Sequence, residues 1–408
     1  MKKIIGIFLL AASMVFALAG CSKAAIEYDL PYEDSASAMA RESAVDGGGV
    51  FDGGEGGGES EVGGGQFSSG VVTAGEWNDI EKWGFWANLL NNQEWGAHSS
   101  YWKYYPYNFV YVTTVDASEK PAVGARISLL KGDKEVWNAQ SDNAGHAVLW
   151  ASMYESAFRV DASEYSLKVN GKKVDSFEFT TPNNQEVIEN KYVASAKRVD
   201  NAIDVAFIVD ATGSMGDEIG FLKADLKDII TLVGQQCTAK VRTATVFYRD
   251  QGDRYVTKFS QFTGNVDETI NYIGQQNAEG GGDWPEAVHE ALETGLQKLS
   301  WSNSSRSRVA FLILDAPPHH EDDIIASCQK SIEKYAETGI KIVPVAASGI
   351  DKACEYLLRS FAMSTNGTYV FITNDSGVGN EHIEATVGEY QVEKLKDLIA
   401  RLIIAYAK

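Results

Sequence analysis

The second half of the chain predicts an α/β fold with a doubly wound, mostly parallel sheet, and three observations carry this prediction. Short apolar runs alternate with helical patterns over residues 199–408, as expected when helices cover both faces of a parallel sheet. The run 205–209 is wholly apolar, which is typical of a strand buried on both faces. Several runs end abruptly in carboxylates, hydroxyls and glycines, at the edge where α/β sheets place their ligands.

Five strands and six helices are predicted in this half from apolar runs and amphipathic periodicity. The strands lie at 205–209, 241–248, 309–314, 341–345 and 369–372, and the helices lie at 217–233, 267–276, 285–299, 322–338, 352–364 and 389–407. About 200 residues are enough for one domain of this type.

Residues 107–198 predict a small antiparallel β-sandwich ahead of this domain. The turn-rich segments Pro121–Ala125 and Ser141–Ala147 resemble those of carboxypeptidase-regulatory-like, transthyretin-type domains. That resemblance implies a spacer or adhesion module without chemistry of its own. The short strand runs, separated by turn residues, lie at 110–114, 125–129, 135–137, 147–150, 158–160, 165–169 and 174–179.

Residues 71–106 form a segment that is unusually rich in aromatic side chains. The pattern from Ala74 to Leu90 predicts a short amphipathic helix. Two interpretations stay open, an aromatic platform for a carbohydrate or protein, and a packing segment that docks the N-terminal tether onto the next domain. The main aromatic residues are Trp77, Trp83, Phe85, Trp86, Trp95 and Trp102.

The N-terminus has the features of an export signal. A basic Met1–Lys3 segment precedes an apolar stretch at 4–17 that is short for a membrane span. Leu18–Cys21 resembles the lipobox of bacterial lipoproteins, which implies removal of residues 1–20 and lipidation of Cys21. Two or more acyl chains would anchor the protein stably, and Ser22 favours the outer membrane, facing the periplasm or the cell surface. An uncleaved or ordinary secretory signal is the alternative.

Composition adds a tether and limits the partners. Residues 21–70 predict a flexible tether, because glycine clusters alternate with acidic residues and few apolar groups are available to bury. The 408-residue chain has a formal charge of −20, which disfavours nucleic acid and anionic lipid headgroups and suits cation binding. Besides Cys21, we expect Cys237, Cys328 and Cys354 to be small buried apolar residues, with a Cys328–Cys354 disulfide as the alternative.

Three segments place oxygen-bearing side chains where strands are predicted to end. Carboxylates and hydroxyls without nitrogen or sulfur favour Mg²⁺, Mn²⁺ or Ca²⁺ over zinc or copper. The residues are Asp210, Thr212 and Ser214 after the first strand of the second half, Asp283 after a glycine run, and Asp315 after its third strand.

Together these segments resemble the metal-ion-dependent adhesion site of von Willebrand factor type A domains. The resemblance implies a metal site formed by Asp210, Thr212, Ser214, Asp283 and Asp315, with Mg²⁺ expected and Mn²⁺ or Ca²⁺ as alternatives. It also implies a protein or extracellular-matrix partner, whose acidic side chain completes the coordination in this family. Thr212 keeps a hydroxyl where the family has serine, whereas Asp283 replaces the usual threonine. The sequences Gly-Gly-x-Asp-x-Pro-Glu-Ala and Asp-Ala-Pro-Pro-His resemble one bacterial and eukaryotic branch.

The aspartate at position 283 changes the charge of the predicted site. Three carboxylates around a divalent ion leave one net negative charge, so the ion should be held more firmly but attract an acidic partner less. We therefore hypothesise that Asp283 reaches the ion through water and leaves one coordination position open.

Neighbouring polar residues have simpler interpretations. Pro285 and Glu286 predict a helix start, where a carboxylate interacts favourably with the helix dipole. His319 and His320 are expected in a solvated loop or at a helix start. Arg249 follows the second strand and is expected to pair with an acidic neighbour, Asp283 or Asp250, with a surface ion pair as the alternative.

These predictions describe a lipoprotein of the bacterial cell envelope that binds a protein or matrix component through a divalent cation. The alternative is a structural scaffold of an envelope complex, in which the metal only stabilises the loops. An enzyme is not expected, because the sequence lacks a nucleophile elbow, a phosphate-binding loop and a zinc-protease helix.

Overall fold

The computed structural model describes residues 70–282, 284–376 and 383–408. The export signal, Cys21, the tether up to residue 69 and Asp283 lie outside the described residues, so the predictions about them stay predictions. Across the described ranges, no helix combines the length and the apolar character that crossing a bilayer requires.

The described strands form three sheets, and eight α-helices accompany them in the described ranges. The strands are β1 (Thr73–Trp77), β2 (Phe109–Val115), β3 (Arg126–Lys131), β4 (Lys134–Gln140), β5 (His146–Trp150), β6 (Tyr165–Val169), β7 (Lys172–Lys173), β8 (Glu189–Val193), β9 (Asp200–Asp210), β10 (Lys240–Tyr248), β11 (Thr257–Thr263), β12 (Ser305–Leu314), β13 (Lys341–Ala346), β14 (Tyr369–Ile372) and β15 (Glu393–Lys394). The helices are α1 (Trp83–Leu89), α2 (Gln93–Trp102), α3 (Gly216–Gln236), α4 (Val266–Gly274), α5 (Val288–Gln297), α6 (Asp322–Thr338), α7 (Lys352–Ser364) and α8 (Leu395–Ala407).

The largest sheet confirms the predicted fold class. Its strand order is β11-β10-β9-β12-β13-β14-β1-β15. The five predicted strands are all present as β9, β10, β12, β13 and β14, and they pair with one another in parallel. The edge strand β11 was not predicted; it pairs antiparallel with β10, and several of its side chains are exposed.

Strand β9 shows why a continuous apolar run is required at the centre of this sheet. Successive side chains point to opposite faces, and both faces are covered by helices. Val205, Phe207 and Val209 pack in the core that includes α3 and α8, whereas Ala206 and Ile208 pack in the core that includes α5, α6 and α7. The strand is therefore packed on both faces, and it places Asp210 at the carboxyl edge of the sheet.

The two smaller sheets have the orders β5-β2-β8 and β4-β3-β6-β7, and apolar side chains of both contribute to one core. Most strand pairs in these sheets are antiparallel as predicted, but β2 pairs with β8 in parallel. The predicted strands at 158–160 and 174–179 are also absent. In the second case the Asn190 side chain replaces a strand partner, accepting from the Glu178 amide at 2.8 Å and donating to its carbonyl at 2.9 Å.

The aromatic segment corrects another prediction. Residues from Ala74 do not begin a helix; they form β1, which pairs antiparallel with β14, and α1 starts only at Trp83. A Cβ at Gly75 would lie 2.6 Å from the Phe371 ring, so glycine permits this close approach. The indoles of Trp77, Trp83, Trp86, Trp95 and Trp102 are buried in the core, which supports packing and leaves them unavailable as an exposed platform.

A buried group of charges joins the aromatic segment to α7. Arg359 is fully buried and donates two hydrogen bonds to Asp79, at 2.6 and 2.8 Å, and a longer one of 3.3 Å to Glu355. Lys352 contacts the other oxygen of Glu355 at 3.0 Å. The Trp86 and Trp95 rings lie 4.9 and 5.1 Å from the guanidinium, as in cation–π contacts.

A second ion pair joins the smaller sheets to the large one. Asp142, in the turn after β4, accepts from the Lys341 ammonium at 2.8 Å and from the Asn366 amide at 2.9 Å. Cys328 and Cys354 are buried free thiols, and Cys237 is a half-buried one, so the alternative of a Cys328–Cys354 disulfide is wrong.

Candidate metal centre

The first predicted ligand loop begins at the end of β9. Asp210 is fully buried, and its Oδ1 accepts hydrogen bonds from the Thr212 amide at 2.8 Å and from the Thr212 hydroxyl at 2.7 Å. Its Oδ2 has no hydrogen-bond partner. A short 3-10 turn, Gly213–Met215, then leads into α3, and Ser214 in this turn is exposed.

The third loop meets the first because β12 lies beside β9. Ile313 is paired with Val209, so Asp315 and Asp210 leave neighbouring parallel strands at nearly the same height. Asp315 is 5% exposed and its Oδ1 lacks a hydrogen-bond partner. The Ser214 hydroxyl faces this carboxylate closely enough to lower its pKa. The structure thus brings Asp210, Ser214 and Asp315 together.

The carboxyl groups of Asp210 and Asp315 are difficult to ionise in their buried positions. Burial, followed by repulsion from Asp315, raises the pKa of Asp210 to about 7. Burial also raises the pKa of Asp315. The hydroxyl of Tyr248 is near enough to lower the pKa of Asp210, although neither this hydroxyl nor Oδ2 has a hydrogen bond of normal geometry.

The loop that carries Asp283 approaches the first loop, although Asp283 itself lies outside the described residues. The Gly213 amide donates to the Gly280 carbonyl at 3.0 Å, and the Glu279 amide donates to the Ala211 carbonyl at 3.1 Å. Gly280 and Gly281 have φ values of +83° and +73°, which favour glycine. The second segment therefore reaches the predicted site, as the three-loop interpretation requires.

Glu286 corrects a prediction and is the residue that sequence reasoning missed. Its side chain is 3% exposed, and Oε2 has no hydrogen-bond partner. Helix α5 starts at Val288 and receives no side-chain cap, so Glu286 is not part of its first turn. Burial, and then the Asp210 carboxylate, raise the pKa of Glu286 to about 9. The only sequence signal was its place in the Gly-Gly-x-Asp-x-Pro-Glu motif.

Nearby cationic groups are engaged elsewhere. Arg249 donates to the Asn277 carbonyl at 2.9 Å and lies 3.6 Å from Glu279, so its acidic neighbour is Glu279 and not the expected Asp250. His319 contacts Asp250 at 2.7 Å, and His320 stacks on a tyrosine ring. Within the described part of the chain, no ion pair reaches Asp210, Glu286 or Asp315.

The donor set fits a hard cation. Three buried carboxylates have unpaired oxygens, and the Thr212 and Ser214 hydroxyls lie beside them. Mg²⁺ and Ca²⁺ prefer such oxygen ligands. Among the residues with described positions, no three His, Cys, Asp or Glu side chains converge closely enough to hold an ion by themselves. A complete coordination sphere thus needs the hydroxyls, water or Asp283 as well.

Comparison with known proteins gives matches to parts of the chain. A putative ariadne-like RING finger protein of Acanthamoeba polyphaga mimivirus is 32% identical over 122 residues, which is 30% of this chain and 12% of that protein. The alpha-protein kinase vwkA of Dictyostelium discoideum is 30% identical over 137 residues, 32% of this chain and 21% of the kinase. The chain therefore spans a small fraction of these relatives.

Solved structures also match parts of the chain. The pilus adhesin SpaC of Lactobacillus rhamnosus GG, in its open conformation, matches with a TM-score of 0.38 and 12% identity, covering 52% of this chain and 31% of the adhesin. A von Willebrand factor type A protein from Catenulispora acidiphila matches with a TM-score of 0.35, covering 74% of this chain and 50% of that chain at 13% identity.

The family assignment rests on a match that covers most of the large sheet and its helices. The model of the von Willebrand factor A domain matches residues 204–379, a range that starts within β9, extends past β14 and contains all three predicted ligand loops. Residues 204–379 of this chain are therefore a von Willebrand factor A domain.

Proposed function

We propose that this domain binds one divalent cation and uses the ion-bearing face to bind a protein or matrix partner. The proposed ligands are the carboxylates of Asp210, Asp283 and Asp315 and the hydroxyls of Thr212 and Ser214. The observation that carries the proposal is the pair of buried carboxylates, Asp210 and Asp315, whose unpaired oxygens have no cation of the described chain beside them. A bound divalent ion would remove the cost of burying them.

Mg²⁺ is the proposed ion. Two hydroxyls and a few carboxylates suit a small octahedral ion that retains some water, whereas Ca²⁺ takes more oxygen ligands. When bound, the ion supplies positive charge to the loops and a coordination position to a partner. Thr212 is oriented for this role by its two hydrogen bonds to Asp210.

The surroundings of the site support partner binding at this face. Ser214 and the glycines from Gly280 to Gly282 are exposed, so solvent and a partner can approach the ion from this side. Trp284 is 37% exposed beside the same loop, and tryptophan is a residue that often anchors protein interfaces. No enzymatic step is proposed for these groups.

The proposed location is the bacterial cell envelope, with the chain held at the outer membrane by lipid on Cys21. This part of the proposal rests on the lipobox alone. Metabolic labelling with a fatty acid tests it, and loss of the label in Cys21→Ala is the expected result.

Partner binding is tested by capture from an envelope extract, with the purified chain in Mg²⁺ or in chelator. We expect a partner that is retained in Mg²⁺, released by chelator and lost with Asp210→Ala. Trp284→Ala is a second variant, which should keep the ion and weaken the partner. Retention of the same partner by Asp210→Ala in chelator would contradict a metal-dependent interaction.

A structural scaffold is the second candidate, and one observation favours it. Asp210, Thr212 and Asp315 are almost completely buried, so an ion held there would connect loops whether or not a partner is present. In that case chelator should lower thermal stability while leaving partner binding unchanged in the temperature range where the chain stays folded.

A further inference from the structure

Glu286 is a buried carboxylate that was not among the predicted ligands. It lies just before α5, where its amide donates to the Pro317 carbonyl at 2.9 Å and fixes it against the loop after β12. The same loop follows Asp315. The backbone therefore holds Glu286 between the second and third ligand loops.

The side chain of Glu286 points towards the first loop. A Cβ at Gly281 would lie 2.8 Å from Glu286 Oε1 and 3.0 Å from Thr212 Cβ, so both side chains border the same point. Glycine at position 281 leaves the room that this approach needs. The carboxylate of Glu286 thus lies next to the Thr212 and Asp210 pair.

No structural role accounts for this buried charge. Glu286 does not cap α5, and Oε2 has no hydrogen-bond partner. In the described portion of the chain, no lysine, arginine or histidine forms an ion pair with it, and the nearest acidic groups, such as Asp210, repel it. An unpaired buried carboxylate costs several kcal/mol of solvation unless something compensates it.

We infer that Glu286 is a further carboxylate of the cation site, bound to the ion directly or through an ion-bound water. This inference rests on the proposed function. Together with Asp210 and Asp315, it gives three described carboxylates that border the proposed site. These three do not converge closely enough to hold an ion by themselves, so hydroxyls or ion-bound water complete the coordination. The ion should consequently be held firmly, because carboxylates of this chain alone neutralise its two positive charges.

Calorimetric titration of the full chain with Mg²⁺ tests the inference, with thermal unfolding of the metal-free protein as a second readout. Glu286→Gln keeps the volume and removes the charge, and we expect about a 10- to 100-fold loss of Mg²⁺ affinity. Metal-free Glu286→Gln should be at least as stable as the wild type, since it removes a repelled carboxylate. Glu290→Gln, in the first turn of the same helix, is the matched control and should bind as the wild type does.

Each outcome decides one point. Wild-type affinity in Glu286→Gln overturns the inference, and so does a loss of metal-free stability with unchanged affinity, because that result indicates a structural role. If Glu286→Gln does not fold, Glu286→Asp keeps the charge, shifts the carboxylate and should still weaken Mg²⁺ binding. If the wild type binds no Mg²⁺, the proposed function fails as a whole; if Asp210→Asn loses binding but Glu286→Gln does not, only this inference fails.

Discussion

Two groups of buried carboxylates in this chain differ in how their charge is balanced. Around Arg359, the carboxylates of Asp79 and Glu355 face the guanidinium and the Lys352 ammonium, and hydrogen bonds use both oxygens of Asp79. At the sheet edge, Asp210, Glu286 and Asp315 have unpaired oxygens and no cation of the described chain beside them.

The difference separates a cluster whose charges are balanced within the chain from one for which we propose an outside ion. Buried ions are tolerated when they are paired and hydrogen-bonded, and the Arg359 cluster meets that condition within the chain. The edge cluster does not, because Arg249, the nearest buried arginine, is turned towards Glu279. Removing Arg359 should therefore destabilise the metal-free protein, whereas removing a carboxylate from the edge cluster should stabilise it.

The largest effect is expected from breaking the balanced cluster. Arg359→Met leaves Asp79 and Glu355 buried without their main partner, which should lower the free energy of unfolding by about 3–5 kcal/mol. Urea unfolding measures this loss. Arg401→Met is the control, since its pairs with Glu76 and Glu393 are largely exposed and should be worth at most about 1 kcal/mol. Equal losses in both variants would contradict the comparison.

The next effect is the stabilisation by metal. Mg²⁺ at a hundred times its dissociation constant should stabilise the wild type by about 2.7 kcal/mol. Asp210→Asn should lose this gain, yet unfold at a higher urea concentration than the wild type when both are metal-free, because it relieves the repulsion with Asp315. Stabilisation of Asp210→Asn by Mg²⁺ to the wild-type extent would show that the ion binds elsewhere.

A third buried pair sharpens the comparison through its pH dependence. Burial alone would raise the pKa of Asp142, but the Lys341 ammonium and neighbouring hydrogen bonds hold it below its ordinary value of 3.8. A depressed pKa in the folded state means that the stability it contributes is present above about pH 4 and is lost as pH falls further. Between pH 5 and pH 3, Asp142→Asn should therefore lose less stability than the wild type. Parallel losses in thermal unfolding would count against this pair.

The smallest effect is expected at a carboxylate next to the edge cluster that already has a partner. Asp250 lies 2.7 Å from His319, and its charge also acts on Glu286. Asp250→Asn should change Mg²⁺ affinity less than about 3-fold, because the charge of Asp250 is partly screened and already paired. A loss as large as that of Glu286→Gln would make Asp250 part of the site.

Much of the large sheet could be predicted because its central strands are continuous apolar runs that local sequence alone identifies. The apolar run before Asp210 is buried on both faces, so its pattern alone identifies β9. Strand β1 could not be predicted in this way, because its conformation is set by the distant edge of β14, to which Thr73–Trp77 hydrogen-bonds. Likewise β8 lies parallel to β2 through contacts that no local pattern encodes.

The meeting of the candidate loops was predictable, but the burial of Glu286 beside them was not. Asp210, Ser214 and Asp315 were identified because each follows a strand that ends at the same sheet edge. Glu286 was assigned to a helix start because Pro285 and a carboxylate favour one, whereas the structure starts the helix at Val288 and buries the carboxylate. Burial and the lack of a partner depend on loops that meet only in three dimensions.

The most direct test of the central claim is a crystal structure of the chain grown with Mn²⁺, using anomalous scattering to locate the ion. The account predicts one strong peak about 2.0–2.4 Å from the Ser214 hydroxyl and from at least one of the carboxylates of Asp210, Glu286 and Asp315. A map with no peak at this sheet edge, in crystals where the three carboxylates are instead hydrogen-bonded to water or to each other, would contradict it.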